Sequence, residues 1–450
     1  MSTLTVRTIQ TPDGSPVSFP NGLRIGSGGA AGLVNNIGVP GGQGFGVGIA
    51  PSLPTGFAKL FGTEDPASDN YGNYAYSDGS VMCYLPAFFY KYGTGANGLS
   101  VNVVDIKPFG AYADVATANA AGYALHRAFY NGGAIRPGVF VDKYLCSNNA
   151  GVASSVKNGN PVSSALRGSL TTATFASLNG APANAYFGAI AAAKTRGSIF
   201  FCASVFIRAA LALLATAHAS ASASTAFNAW YSAGGVTNFP KGLNNNALGD
   251  TNDGAIAYTS DGNGTATGAG KTGSANFFSR TTHNGQNCGV ADLNGVLWEV
   301  SLGLTSDGTS FFLLKTGADV ATITGSNTTA TDAWGATGLA ALYNSLGATH
   351  EALTASASAK TIGAAGQVFN AAVSGTAWEA AGAGIPLATG VGGSNQFGLD
   401  GLWDYRLNEC CVLAGGTWND VGLAGVWTLN LSTVRSGAAN TVGVRAASYL

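Results

Sequence analysis

Charge is scarce in this chain. Only 10% of its 450 residues are Asp, Glu, Lys or Arg, against about 25% in an average soluble domain. The two signs nearly cancel, giving a formal net charge of −1. No basic tail or stripe is present, which removes the electrostatic footprint that nucleic-acid binding requires. No acidic run marks a disordered arm either. So little charge implies that much of the surface is covered by something else, such as neighbouring subunits.

The spacings that carry chemistry are also missing. The six cysteines, Cys83, Cys146, Cys202, Cys288, Cys410 and Cys411, form no C-x-x-C pair, so zinc-site spacing is absent. Cys410 and Cys411 are adjacent, and neighbouring cysteines rarely bridge each other. The cysteines are read as buried thiols made in a reducing cytosol. The four histidines, His126, His218, His283 and His350, contain no i,i+4 pair, which removes H-E-x-x-H; His350-Glu351 stands alone. There is no G-x-S-x-G elbow, no Walker loop and no fixed-period repeat.

Two further absences concern membranes. The opening MSTLTVRTIQTPDG has no apolar core of the kind a signal peptide needs, so none is expected. The longest apolar run, residues 199–217, carries Arg208 at its middle and follows Lys194-Thr195-Arg196. A bilayer tolerates such an arginine poorly, so the run is expected to be a buried amphipathic helix and no membrane span is expected.

What the chain has in quantity is glycine, 66 residues spread along its length, with 46% hydrophobic residues. No G-X-Y period organises the glycines, so they serve turns and irregular loops. The expected fold is α+β, with short strands, two helices and long Gly-rich loops. Residues 1–55 read as a small β-rich segment, with a hairpin at Asp13-Gly14 and Gly-rich turns after it. It is too small for its own core and is suited to pack against copies of itself or against a larger assembly. Residues 56–137 read as a part packed on the main domain. In it VMCYLPAFFYKYG is a strand and VATANAAGYALHRAFYNGG a helix stopped by Gly132-Gly133. Residues 138–450 form the main domain. It opens with the strand GVFVDKYLCSN, then a helix over NAYFGAIAAAKTRG and a second from near Ser198 to His218, where Phe201, Val205, Ala209 and Leu213 repeat at helical spacing. Ser220 to Ser224 reads as a loop or frayed end, 233–287 as a long irregular polar stretch, Asp292 to Ser301 as a strand, and about 305–395 as a loop insertion.

Four pieces of this domain, in order, resemble the formylglycine-generating-enzyme branch of the C-type lectin fold. They are the strand GVFVDKYLCSN (138–148); Lys194-Thr195-Arg196-Gly197 with the helix after it; Val290-Ala291-Asp292-Leu293-Asn294-Gly295-Val296-Leu297-Trp298-Glu299-Val300, similar to that family's "DMaGNVWEW" signature; and Gly415-Gly416-Thr417-Trp418-Asn419-Asp420 with Val442-Gly443-Val444-Arg445-Ala446, similar to "RGGSWnn…iGFRla". The C-terminal run also resembles the variable region of phage tropism determinants diversified by retroelements. Its frame positions are Gly415, Gly416, Trp418, Gly425, Asn430, Gly443 and Arg445. The exchangeable positions hold Asp420, Val421, Leu423, Ala424, Val426, Trp427, Leu429 and Leu431, more apolar than that family's usual Asn, Ser and Tyr.

The resemblance implies a C-type-lectin-like frame that recognises without catalysing. In Asp292-Leu293-Asn294-Gly295 an Asx side chain is expected to bond the turn backbone and Gly295 to supply a positive φ, with Trp298 buried and Glu299 facing a polar partner. The candidate ligand face is Trp418, Asn419, Asp420, Val421, Leu423, Ala424, Val426, Trp427, Leu429 and Leu431, with a core role as the alternative for Trp418, Trp427 and Leu429. The family's oxidase chemistry needs two cysteines in the C-terminal run. Here that run has none, and Cys410 and Cys411 precede Gly415, so no enzymatic activity is expected. No cofactor is expected. Gly249-Asp250-Thr251-Asn252-Asp253-Gly254 resembles half a calcium loop but lacks the distant Glu, so a plain Asx-turn loop is expected there, with calcium as the alternative. The function expected is host recognition by a phage tail-fibre tip, placing the chain in a virion. Its partners would be a host cell-surface receptor, saccharide or protein, other virion proteins and copies of itself, a trimer by analogy with tail fibres. The alternative is a virion structural or decoration protein using the same fold for subunit contacts.

Overall fold

The computed structural model describes residues 24–25, 29–30, 34–92, 104–222, 248–251, 253–263, 269–293, 295–323, 339–346, 359–362, 369–386 and 400–450. Among them the chain is mixed α and β, mostly short strands in several small, mainly antiparallel sheets, with few helices. The Asp13-Gly14 hairpin, Ser224, Asn252, Asn294 and His350-Glu351 lie outside the described residues.

One sheet has six strands in the order Phe201–Cys202, Ala446–Tyr449, Gly138–Asp142, Val81–Pro86, Asn73–Tyr76 and Phe57–Lys59, each antiparallel to its neighbours. Gly138–Asp142 is buried at every position, as its unbroken apolar run requires of a central strand. Phe57, Tyr74, Tyr84, Phe140 and Phe200 pack as an aromatic cluster on this sheet. Phe57 and Phe140 have ring centroids 4.4 Å apart, and Tyr74 meets Phe140 edge-on at 5.2 Å, the geometry that ring quadrupoles favour. The final strand, Ala446–Tyr449, lies directly beside Gly138–Asp142.

The second six-stranded sheet runs Ala359–Thr361, Gly401–Trp403, Leu429–Asn430, Leu413–Ala414, Trp298–Val300, Val442–Gly443. Two of its pairings are parallel: Gly401–Trp403 with Leu429–Asn430, and Trp298–Val300 with Val442–Gly443. The two longest helices among the described residues are Ala185–Lys194, which touches both sheets, and Val205–Ser222, which packs on the strand Val104–Pro108. Asn184 caps the first by accepting from Phe187 N at 2.8 Å. The second is buried from Val205 through Ala219, Arg208, Thr216 and His218 included, the pattern of a helix enclosed by its own protein. No helix among the described residues is long and apolar enough to cross a membrane.

Several local expectations change. VMCYLPAFFYKYG is two strands, Val81–Pro86 and Phe88–Tyr92, in different sheets, with Ala87 at the step between them. The helix expected up to Gly132-Gly133 covers only Val115–Ala120. Gly122 at φ +80° lets Tyr123 N reach back to Ala118 O at 2.9 Å and ends it. Gly132 and Gly133, both left-handed, instead turn the hairpin between Tyr130–Asn131 and Ala134–Ile135. The second long helix starts at Val205 rather than near Ser198, because Phe201–Cys202 is taken up as a sheet edge. It continues to Ser222, past the expected loop start at Ser220. Asp292 to Ser301 is strand only over Trp298–Val300. The 305–395 insertion carries structure of its own: Phe311–Leu314 pairs with Leu304–Ser306 and Tyr343–Ser345, and Gly375–Gly382 is a helix.

Within the N-terminal segment, Ile37, Phe45, Val47 and Ile49 are buried in the main core. Residues 41–46 are pinned by the 283–286 loop. Asn284 Nδ2 donates to Phe45 O at 2.7 Å, Gly44 N donates to Gln286 Oε1 at 2.8 Å, and His283 Nε2 meets Gly46 O at 3.0 Å.

Candidate functional site: a buried polar frame and the rim above it

The four motif pieces converge on one buried knot of charge. Glu299 accepts from Arg445 Nε at 2.9 Å and from Arg208 Nη1 at 3.0 Å. Arg445 also donates to Asp142 O and Ala291 O, each at 2.8 Å. The Asp142 carboxylate accepts from Arg196 Nη1 at 2.5 Å and Nη2 at 2.8 Å, and from Ala446 N at 2.9 Å. Asp142, Arg196, Arg208, Glu299 and Arg445 are all buried. Burial alone would raise the Glu299 carboxyl, but the Arg208 and Arg445 guanidiniums outweigh it and hold the group below its usual range. Glu299 thus has the polar partners expected of it. Arg208, interrupting an apolar helix, is there to meet it.

In the Asp292 turn, the expected Asx bond involves Asn294 and lies outside the described residues. Gly295 does take a positive φ, +88°. The Asp292 carboxylate accepts across the fold from Gly273 N, at 2.8 and 3.1 Å. Burial pushes it up to about 7. Asp292 itself sits at φ +60°.

The strand expected to run out through Thr417 and Trp418 ends earlier, at Leu413–Ala414. Gly415 and Gly416 follow at φ +92° and +84°, a backbone shape that only glycine adopts freely. A side chain at Gly416 would also strike Ala424, 2.5 Å from its Cβ. Ala424 is wedged against Gly295 too, where an added Cβ would come within 2.6 Å. The DLNG turn and the GG turn are therefore built against one shared methyl group.

Most of the proposed ligand face is core. Trp418, Ala424, Val426, Trp427, Leu429 and Leu431 are all at most 4% exposed. Trp418 packs with Leu145, Leu248, Ile256, Val296 and Leu297. Trp427 donates from Nε1 to Thr216 Oγ1 at 2.9 Å, and its ring lies 4.5 Å from Phe369. The core alternative for Trp418, Trp427 and Leu429 is thus the observed one, and it extends to Ala424, Val426 and Leu431. The physical reason is the apolar character noted at these positions: side chains of this kind gain by leaving water for the protein interior.

What reaches the surface is the short turn Val421–Leu423 and its approach. Asn419 is exposed, and Asp420, Val421 and Leu423 are half-buried. The turn is stiff. Thr417 N donates to Asp420 Oδ2 at 2.8 Å, Asp420 N to Thr417 O at 3.0 Å, and Thr428 Oγ1 to Leu423 O at 2.6 Å. Burial raises the Asp420 carboxyl to about 6, against the pull of the Thr417 N–H. Val421 stands at φ +51°, a true outlier for a β-branched residue.

Beside this turn lies a residue that sequence reasoning missed. Trp403 is partly exposed, at the end of Gly401–Trp403, and its ring meets Trp298 edge-on at 5.4 Å. The only sequence signal was an aromatic in the run GLWDYR. Nothing there distinguishes a surface ring from a core one.

Elsewhere the arrangement is structural. In the calcium-like loop Asp253 N donates to Asp250 Oδ1 at 3.0 Å, the Asx turn, and Asp253 Oδ2 pairs with Arg280 at 2.5 Å. No cluster of His, Cys, Asp and Glu suited to a metal occurs among the described residues. All six cysteines are buried free thiols. Burial pushes Cys410 and Cys411 up, so neither offers a thiolate. No protein-family model matches the sequence, and no curated protein matches it significantly.

Proposed function

We propose that this chain is a non-enzymatic recognition protein of a bacteriophage particle, a tail-fibre tip whose C-terminal domain is C-type-lectin-like. One observation carries the reading: the four pieces that resemble that fold meet in a single knot, Asp142–Arg196 and Glu299–Arg445–Arg208. The pairing of Gly138–Asp142 with the last strand supports it further, since it ties the two ends of the domain together. On this reading the rim at Asn419, Asp420, Val421 and Leu423 contacts the bacterial surface. Several copies, a trimer by analogy with tail fibres, would turn weak single contacts into firm attachment.

Binding of the purified protein to a panel of bacterial strains tests this. Asn419→Arg and Leu423→Arg place bulky charge on the rim without entering the core. Each is expected to weaken attachment at least about tenfold with thermal unfolding unchanged. Wild-type attachment by both would remove the rim from the reading.

A second reading, a structural or decoration role in the virion, is favoured by individual apolar side chains elsewhere. Phe61 is 98% exposed and Val39 72% exposed, and an apolar side chain so open is suited to a subunit contact. Phe61→Asp is expected to impair incorporation into particles if this face is the contact, while leaving attachment of the free protein alone.

A further inference from the structure

Resting on the recognition reading above, we infer that the partly exposed indole of Trp403 is the stacking platform for a neutral saccharide ring of a bacterial surface polysaccharide. In Gly401–Trp403, Gly401 and Leu402 are buried, and Trp403 is half-buried, packed in part against the main core. The indole lies over Gly401. A Cβ at that position would fall 2.8 Å from Cζ3 and 3.1 Å from Cη2 of the ring, so only glycine allows the ring to settle there. Trp298 braces it edge-on. The ring is therefore fixed before any ligand arrives, which lowers the ordering cost of binding.

The surroundings define the ligand. The Leu423 carbonyl lies 3.1 Å from the same added Cβ, so the rim turn borders the platform. Asn430 is the strand partner of Trp403 and is half-buried. Its Oδ1 accepts from Ser432 N and Ser432 Oγ, each at 2.8 Å. That fixes the amide, and among the described residues no acceptor takes its N–H donors. Asn419 adds an exposed amide. The nearest acid of the turn, Asp420, is held by the Thr417 N–H. A flat apolar surface edged by amides and hydroxyls, with its acid engaged inward, matches a pyranose. One face of such a ring is C–H, which an aromatic face attracts by dispersion and by its quadrupole, and its rim is hydroxyl.

The test uses the strains that the full-length protein attaches to. Cells are treated with periodate, which cleaves sugar diols, or with proteinase K. Polysaccharide extracted from them is then titrated against wild type, Trp403→Ala, Trp403→Phe and Asn430→Ala. Periodate is expected to abolish attachment and proteinase K to leave it. Trp403→Ala should weaken polysaccharide binding at least about tenfold and Asn430→Ala several-fold, with Trp403→Phe retaining most of it. Should Trp403→Ala unfold, the Phe and Asn430 variants decide the matter. Loss of attachment with proteinase K but not periodate would make the ligand a protein and overturn this inference while leaving the recognition reading intact, as would wild-type polysaccharide binding by both Trp403→Ala and Asn430→Ala. Failure of the wild type to attach to any strain would instead remove the recognition reading and this inference with it.

Discussion

The frame and the rim of the C-terminal domain are built on opposite principles. In the frame, full charges are buried and each carboxylate meets a guanidinium: Glu299 with Arg208 and Arg445, Asp142 with Arg196. At the rim the side chains are small, apolar or amide-bearing, and the one acid, Asp420, bonds a backbone N–H. A chain with so little charge has therefore placed part of it where water is absent. Buried pairs of this sort add little net stability over apolar packing, but they tolerate only one arrangement of the groups they join. The knot's value here is register: it joins Gly138–Asp142, Ala185–Lys194, Val205–Ser222, Trp298–Val300 and the last strand in one geometry. The rim, held by main-chain bonds over that knot, is left free to vary.

The sharpest way to break this contrast is at Arg445. Arg445→Met would strip Glu299 of one guanidinium and leave Asp142 O and Ala291 O without their donor. Destabilisation of about 3–5 kcal/mol is expected, read from the urea midpoint. Asn419→Arg, on the rim, should stay within about 0.5 kcal/mol of wild type. Equal effects would mean that frame and rim are not distinct.

Acid probes the frame from another side. His283 accepts from Val290 N at Nδ1, 3.0 Å, and meets Gly46 O through Nε2, 3.0 Å, an arrangement that requires the neutral ring. Burial lowers it from 6.5 to about 4. Between those values the unfolded chain binds a proton that the folded chain refuses, so the neutral ring's stabilisation is complete above pH 6.5 and is lost as pH falls towards 4. Asp292, raised to about 7 by burial, acts in the opposite sense. The histidine's part must therefore be read as a difference. The stability gap between wild type and His283→Asn should be constant above pH 7 and shrink by roughly 3 kcal/mol by pH 4. A gap that does not change with pH would show that His283 does not titrate between the two states. Gly416→Ala reaches the junction of frame and rim. With φ at +84° and Ala424 Cα 2.7 Å from the new methyl group, a loss of about 1–3 kcal/mol in thermal or urea unfolding is expected. A neutral result would mean that the GG turn can yield.

The frame was far more legible in the sequence than the rim, for a physical reason. Trp298-Glu299, Arg445 and the GG pair are each required by chain geometry, and such residues leave a recognisable spacing. The helix over NAYFGAIAAAKTRG was readable from Asn184 and its apolar run, and it forms as Ala185–Lys194. The exposure of Val426, Trp427 and Leu429 was not readable. A large apolar side chain in a Gly-rich loop is equally compatible with a binding anchor and with a core, and only the position of Thr216 and Phe369 decides for Trp427. Trp403 was missed for the converse reason: its open flank depends on Gly401 lying beneath it, a relation between sheet neighbours that no local pattern displays. Gly132-Gly133 were misread because a glycine pair ends a helix or turns a hairpin with equal ease.

The smallest effect is the most diagnostic. Val421 stands at φ +51° in the middle of the rim. A left-handed conformation costs an L-residue about 1–2 kcal/mol, and Val421→Gly would remove that cost. The glycine would in turn lose about 0.5–1 kcal/mol through the freedom it adds to the unfolded chain. The two nearly cancel, so thermal stability should be unchanged or slightly raised, by no more than about 1 kcal/mol. Attachment to bacteria should nonetheless fall, because the half-buried isopropyl group and the fixed turn are lost together. That split, stability kept and binding reduced, is expected where strain is maintained for contact rather than for folding. A loss of stability above about 2 kcal/mol would instead assign Val421 to the packed frame, and the boundary between frame and rim would have to move outward to Asn419.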